Sequence, residues 1–237
     1  MTGDGAGRGR TRAVIGAAVV VAAAAVGGYL LLSGTGDDGG SAVPDDGGTY
    51  ELTAPATVLG GAYRKVDSLG GVTVRSGELK GMAALGVAHP EAVTAVYLAG
   101  RGSHQRMLTY SGVHGEVDDP EKVVDALFAE MERRAKDQPD GATPLGSPEE
   151  FTPDGFRDGV MKCRRSELRT GGTGTAGRAD GTSKTYQDAM CVWGDHSTVG
   201  YVSPTDPAAA ADGRNPSLDA TARLTADLRA EVRGAAE

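Results

Sequence analysis

Asp195, His196 and Ser197 are consecutive and have the side-chain types of a hydrolytic triad. A working triad brings its three side chains together from separate elements, with the imidazole between the carboxylate and the hydroxyl. Consecutive turn residues point in divergent directions, so the pattern favours a turn in which Asp195 accepts backbone amide hydrogen bonds. The hydrolase motifs Gly-x-Ser-x-Gly, Ser-x-x-Lys and His-Glu-x-x-His do not occur in the sequence. We therefore predict no catalytic residue.

Two further patterns could bind a cofactor or a metal ion. Residues 172–177 match the phosphate-binding pattern Gly-x-Gly-x-x-Gly, but that chemistry needs a strand before the glycines and a helix after them. The surrounding Gly and Thr residues predict a loop instead. His89, His104 and His114 lack the spacing that places two imidazoles on one helical face or strand edge. We predict neither a cofactor nor a metal site, while joint titration of His114 and His196 near neutral pH stays open.

The chain has two cysteines, Cys163 and Cys191. An even number of cysteines in an exported segment favours a structural disulfide over a reactive thiol. A metal site would need more thiolates or histidines at suitable spacing. The sequence therefore predicts a disulfide between these two residues.

The second cysteine begins the pattern Cys-x-Trp-x-Asp-x-x-Thr-x-Gly, which Trp193, Asp195, Thr198 and Gly200 complete. Trp193 follows Cys191 by two residues, so both lie on one face of a predicted strand, where the indole can pack beside the bridge. Together with the Val-Met-Lys-Cys of residues 160–163, this pattern resembles a family of actinobacterial exported proteins anchored by a single transmembrane segment. Residues 110–120 are similar to the stretch before the first ectodomain helix of that family. The resemblance implies an anchored ectodomain with paired cysteines, and it carries over no catalytic or binding residue.

Hydrophobic patterning predicts the elements that position these residues. Alternating or apolar runs predict seven strands, at 57–66, 72–75, 92–98, 107–114, 160–164, 189–193 and 198–202. A helix is predicted to begin at Pro120, and a second amphipathic helix is predicted after a cap at Ser217. Residues 137–155 are rich in Pro and Gly and predict an extended connection. We expect an α+β fold, an antiparallel sheet with both amphipathic helices on one face.

Residues 13–32 form an uncharged apolar run long enough to span a bilayer as a helix. Arginines at 8, 10 and 12 precede the run, and four aspartates follow it before the next basic residue, which places the N-terminus inside. A cleaved signal peptide is the alternative. The predicted organisation is a cytoplasmic basic stub at 1–12, a transmembrane helix at 13–32, a flexible Gly- and Asp-rich tether at 33–49 and an extracytoplasmic α+β domain at 50–237.

The net charge of −8 and the lack of a basic stripe argue against nucleic acid as a partner. The expected partners are the lipid bilayer through residues 13–32 and an envelope protein or small ligand outside. We expect a membrane protein whose ectodomain is a non-catalytic binding or interaction module at the cell envelope. The alternatives are an envelope hydrolase without a recognisable motif and a structural envelope component.

Overall fold

The computed structural model describes residues 43–45, 47–67, 76–137, 142–170 and 184–236. The predicted transmembrane helix at 13–32, the predicted strand at 72–75 and the glycine pattern at 172–177 lie outside these residues. Within the described ranges, no helix is both long enough and apolar enough to cross a membrane.

Most of the described chain forms one antiparallel sheet of eight strands, in the order β2-β3-β4-β5-β9-β8-β7-β6. Two short strands, β1 and β10, pair with each other apart from that sheet. The strands are β1 (Tyr50–Leu52), β2 (Thr57–Val58), β3 (Tyr63–Lys65), β4 (Val87–Ala99), β5 (Arg106–Val117), β6 (Thr143–Glu150), β7 (Val160–Thr170), β8 (Lys184–Gly194), β9 (Thr198–Thr205) and β10 (Arg233–Ala235). The α+β expectation is confirmed at this level.

Four helices accompany the strands: α1 (Ser76–Ala84), α2 (Pro120–Asp137), α3 (Pro207–Ala211) and α4 (Leu218–Val232). Helix α2 begins at Pro120 as predicted, and the Asp119 carboxylate accepts a hydrogen bond from the Lys122 amide at 3.0 Å. Ser217 caps α4 as predicted, because its hydroxyl accepts a hydrogen bond from the Ala220 amide. Local capping chemistry therefore sets where both long helices begin.

The two long helices lie on opposite faces of the sheet, and the expectation of a shared face is wrong. Helix α2 packs with Val192 and Val199, whereas α4 packs with Cys191 and Val202. Successive residues of a strand point to opposite faces, so each of these strands supplies one side chain to each helix layer. The fold has three layers because both faces of the central strands are apolar.

Strand β6 occupies a segment for which the sequence predicts an extended connection, and this prediction is corrected. The strand pairs with β7 at the edge of the sheet, in two stretches separated by an irregularity around Gly146, whose φ is 73°. An edge strand tolerates Pro144 and Pro148 because one side of its backbone needs no ladder partner. The Pro- and Gly-rich composition indicated a loop, but pairing with β7 makes the segment a strand.

Candidate functional site

The predicted disulfide is confirmed. Cys163 of β7 and Cys191 of β8 are directly opposite each other, with Cα atoms 4.1 Å apart, and both side chains are fully buried. Trp193 belongs to the same buried layer beneath α4. The bridge therefore joins neighbouring strands inside the core, where no solvent reaches it.

Three residues of the Cys-x-Trp-x-Asp-x-x-Thr-x-Gly pattern, Trp193, Asp195 and Thr198, are joined by hydrogen bonds at the turn between β8 and β9. The Asp195 carboxylate accepts hydrogen bonds from the backbone amides of Ser197 at 3.0 Å and Thr198 at 2.7 Å. The Thr198 hydroxyl donates to the same carboxylate at 2.7 Å and accepts from the Trp193 indole nitrogen at 3.2 Å. Asp195 thus closes the turn by accepting amide bonds, in the way the sequence predicts.

Two arginines from the C-terminal end of α4 and from β10 neutralise Asp195. Arg229 places Nη2 2.7 Å and Nε 3.2 Å from Asp195 Oδ2, and Arg233 places Nε 3.2 Å from the same oxygen. Asp195 is only 1% exposed, so its charge is compensated inside the protein. The sequence analysis missed both arginines because they lie more than thirty residues away; the one available signal was a basic residue beside the apolar stripe of α4.

Gly200 is required by the neighbouring tryptophan. A Cβ atom at this position would overlap the Trp193 ring, which lies across the paired strand. The opposite side of the indole layer holds Tyr110, whose ring is stacked at a centroid distance of 6.1 Å and an angle of 10°. The motif residues therefore build a packed joint between the sheet and α4.

His196 and Ser197 face a different part of the chain from Asp195. His196 Nδ1 lies 2.9 Å from the Val117 carbonyl oxygen, and Nε2 lies 3.0 Å from the Val43 carbonyl oxygen. These two carbonyls, Val43 first, raise the pKa of His196 against the opposing effect of burial. Ser197 donates its hydroxyl to the Gly48 carbonyl at 3.1 Å. The three side chains diverge, so no triad forms from them.

These contacts also attach part of the predicted tether to the domain. Besides the His196 and Ser197 bonds, Val43 packs against the apolar layer of α2, and the Thr49 carbonyl accepts a hydrogen bond from the Ala236 amide at 3.0 Å. The segment from 43 onward is therefore held at the end of the sheet where Asp195 lies.

The other singled-out histidines lie on separate elements. His114 accepts a hydrogen bond from the Leu52 amide at 3.3 Å and faces Glu91 at 3.8 Å. His89 lies at the irregularity of β4 with a φ of 50°, and His104 is exposed in a short 3₁₀ turn. Among the residues that the structure describes, no three His, Cys, Asp or Glu side chains are grouped so that they could hold a metal ion.

A pocket of about 430 Å³ lies at the other end of β8. The ladder between β8 and β9 covers four residue pairs, from Gly194 with Val199 to Cys191 with Val202, although both strands continue beyond it. Past Cys191 the strands separate, since β8 stays paired with β7 and β9 stays paired with β5 as far as Thr205. The pocket occupies this opening, closed on its far side by α3 and the first turns of α4. Its volume is within the range of small-molecule sites, about 300–1,000 Å³.

Asp188 is the charged group of β8 that lines the pocket. Its carboxyl accepts a hydrogen bond from the Ser203 hydroxyl across the opening at 2.8 Å. Burial raises the pKa of Asp188 to about 6, against smaller lowering effects of Ser203 and the Ala189 amide. No basic side chain contributes to this pKa.

The remaining charged groups of the pocket lining already have partners. Arg106 lies over the Tyr63 ring with 5.6 Å from Cζ to the centroid, and Arg214 pairs with Asp212 at 3.0 Å. The Asp206 carboxylate caps α3 by accepting from the Ala209 amide at 3.0 Å. Asp188 thus differs from its neighbours, because its described side-chain partner is a neutral hydroxyl.

Comparison of the chain with known protein families, with curated proteins and with solved structures finds no match.

Proposed function

We propose that this protein is a membrane-anchored extracytoplasmic binding module at the cell envelope, which holds a ligand or partner protein in the β8–β9 pocket without catalysing a reaction. The observation that carries the proposal is the opening of the sheet between two strands that pair at only one end. Where two central strands separate, they lose the hydrogen bonds that pairing would give. Ligand binding in the pocket is a reason for the sheet to open there.

The placement of the pocket supports a recognition role. The segment that follows the proposed anchor, from Val43 to Thr49, contacts the turn at His196 and Ser197. Asp188 lies seven residues from Asp195 along β8, about 23 Å at the usual strand rise. With residues 13–32 in the bilayer, the pocket would open at the end of the domain away from the tether.

An envelope hydrolase is the second candidate, and the pocket argues less for it. Such an enzyme would be expected to gather an acid with a histidine in one cleft. The described lining contains Asp188 and Asp206, whereas His114 contacts β1 and His196 lies at the opposite end of β8. The side chains that line the pocket are better suited to binding a ligand than to activating a nucleophile.

Site-specific crosslinking in cells tests the proposal. A photo-crosslinking amino acid is placed at Asn215, an exposed residue of the pocket lining, and in a second variant at Asp227, an exposed residue farther along α4. We expect capture of a specific molecule from Asn215 and not from Asp227.

Other patterns would replace the proposal. Equal capture from both positions would contradict a binding role for the pocket. Capture of a second copy of the same chain from both positions would favour a structural envelope component, which self-associates.

A further inference from the structure

We infer that the pocket binds an extended segment of a partner protein, whose main chain pairs with the free edge of β8, the side that faces β9 before Cys191. The inference rests on the proposed function, since it names the kind of partner that the pocket holds. It begins from three consecutive residues, Tyr186, Gln187 and Asp188, which all line the pocket. Their side chains alternate between the two faces of the sheet, so a pocket that touches all three reaches the main chain of the strand.

The pairing of β7 with β8 decides which main-chain groups face the opening. The Cα atoms of Cys163 and Cys191 are 4.1 Å apart, the short distance of an antiparallel pair that exchanges no main-chain hydrogen bonds. The amide and carbonyl of Cys191 therefore point away from β7 and towards β9. The bond from the Asp195 amide to the Thr198 carbonyl at 2.8 Å, at the end of the same ladder, agrees with this alternation. Because the register of β7 with β8 has no shift, Gln187 also points its amide and carbonyl towards the opening.

Pro204 explains why β9 leaves this edge unpaired. Val202 pairs with Cys191, and the same register places Pro204 opposite Ala189 as the next position that would bond to β8. Proline has no amide hydrogen, so it cannot donate the bond that the Ala189 carbonyl would accept. The Ala189 amide bonds instead to the side chain of the preceding residue. The sheet opens at this pair, and beyond it the main chain of Gln187 has no partner among the residues that the structure describes.

An unpaired strand edge is complementary to another extended main chain. Its amide and carbonyl groups recur at the strand spacing, and a partner strand satisfies them in order. Thr185 lies on the same edge and is exposed, so a partner can approach from the end of β8 that is remote from the ladder with β9. A small ligand would satisfy only one or two of these groups. The edge therefore favours a polypeptide segment of several residues.

The walls of the pocket suit the side chains of such a segment. Side chains of a paired strand alternate between the faces of the sheet, so every second one would point towards α3 and α4. Leu224, Pro216 and Ala210 supply apolar surface on that side, and Arg106 lies there over the Tyr63 ring. The apolar surface favours aliphatic side chains at the positions that enter the pocket.

The test uses the full-length ¹⁵N-labelled protein and a capped peptide of alternating threonine and valine, unmodified or N-methylated at every amide. N-methylation removes the main-chain donors and keeps the side chains. We expect the unmodified peptide to shift the Gln187 amide more than the Tyr186 amide, because the Tyr186 amide already points to β7. The N-methylated peptide should bind at least about tenfold more weakly, since it leaves carbonyl groups of the edge without donors.

A pair of substitutions at Gln187 separates main chain from side chain. Gln187→Pro removes the amide that the peptide needs and spares the ladder with β7, because this amide points to the opening. It should weaken binding of the unmodified peptide at least about tenfold. Gln187→Ala is the matched control, which removes the side chain and keeps the amide, and it should change the affinity less than about twofold. If Gln187→Pro does not fold, the comparison of the two peptides decides the question.

Equal affinity for the two peptides, equal weakening by Gln187→Pro and Gln187→Ala, or no binding of the unmodified peptide would each overturn the inference. If the Asn215 crosslinks still capture a specific partner in that case, the proposed function stands while main-chain pairing fails. If the peptide binds as expected and the crosslinks capture nothing, pairing stands while the proposed function fails. Capture of a second copy of the chain from Asn215 alone would assign the free edge to self-association and overturn the assignment to a partner protein.

Discussion

Asp195, which directly follows β8, and Asp188, which lies near the middle of that strand, are stabilised in different ways. Asp195 accepts hydrogen bonds from its own turn and from Arg229 of α4, and Arg233 of β10 adds an ion pair. Asp188 accepts a hydrogen bond from the Ser203 hydroxyl and has the Ala189 amide as a second partner, and burial still raises its pKa to about 6. A buried acid with charged partners is held ionised, whereas one with neutral partners takes up a proton more readily.

Mutation of Asp195 should have the largest effect on stability. Asp195→Asn removes the carboxylate that neutralises Arg229. Because Arg229 is only 7% exposed, its guanidinium is left buried without that partner. We expect a loss of about 3–5 kcal/mol in the free energy of unfolding, measured by urea denaturation. Asp227→Asn on the exposed face of α4 is the control and should stay within about 0.5 kcal/mol. A loss below about 1 kcal/mol for Asp195→Asn would contradict the architectural role.

The next largest effect on stability should come from the packing of Gly200 against Trp193. Gly200→Ala forces a methyl group against the Trp193 ring, so the indole or the strand must shift. Overpacking of this kind costs about 1–3 kcal/mol. Since Trp193 is the only tryptophan, its fluorescence reports both the shift and the unfolding midpoint. Gly234→Ala, where an added Cβ meets open space, is the matched control and should leave both readings unchanged.

Replacing Asp188 should stabilise the protein, the opposite of the effect expected at Asp195. The Asp188 pKa is about 6 in the folded protein and 3.8 ordinarily, so the folded state binds more protons between these values. Stability from this group is full below pH 3.8 and is lost as the pH rises towards 6. Asp188→Asn removes that loss and should stabilise the protein at pH 7 by about 3 kcal/mol. Unfolding measured from pH 4 to 7 checks it; a difference independent of pH would be the wrong result.

The Tyr110 hydroxyl tests whether the lack of a hydrogen-bond partner alone is enough to lower stability. The Tyr110 hydroxyl is buried beneath α4 and has no hydrogen-bond partner among the residues that the structure describes. Tyr110→Phe keeps the ring stacked on Trp193 and removes the unpaired hydroxyl, so stability should stay unchanged or rise by up to about 1 kcal/mol. Thermal unfolding measures the change. A loss above 1 kcal/mol would mean that the hydroxyl makes a favourable contact.

The smallest expected effect is local and concerns His196. Its two ring nitrogens face carbonyl oxygens, and a neutral imidazole can donate to only one of them. As the pH rises through the raised pKa of His196, the contact with Val43 should weaken, since one of the two bonds is lost. Amide hydrogen exchange at Val43 and Asp45, corrected for intrinsic rates, should show protection falling as the pH rises through the raised pKa of His196. His196→Gln should abolish this pH dependence.

Local chemistry was predictable from the sequence and long-range pairing was not. The caps at Asp119 and Ser217 and the turn at Asp195 depend on residues within three or four positions, so their spacing contains the answer. The face on which each helix packs depends on the whole sheet, and an apolar stripe does not say which face it meets. The partnership of Asp195 with Arg229 and the separation of β8 from β9 likewise follow from tertiary arrangement. The pocket gave no local signal in the sequence, because it exists only where β8 and β9 separate.

Strand β1 has a consequence for the order of folding. Tyr50–Leu52 pairs with Arg233–Ala235, which lies at the opposite end of the described chain. During synthesis β1 therefore emerges long before its partner does, and their meeting closes the largest loop in the fold, an entropically slow event. The sheet and the pocket contain shorter-range pairings and can form earlier. The nascent chain would thus form the pocket first and pair β1 with β10 last.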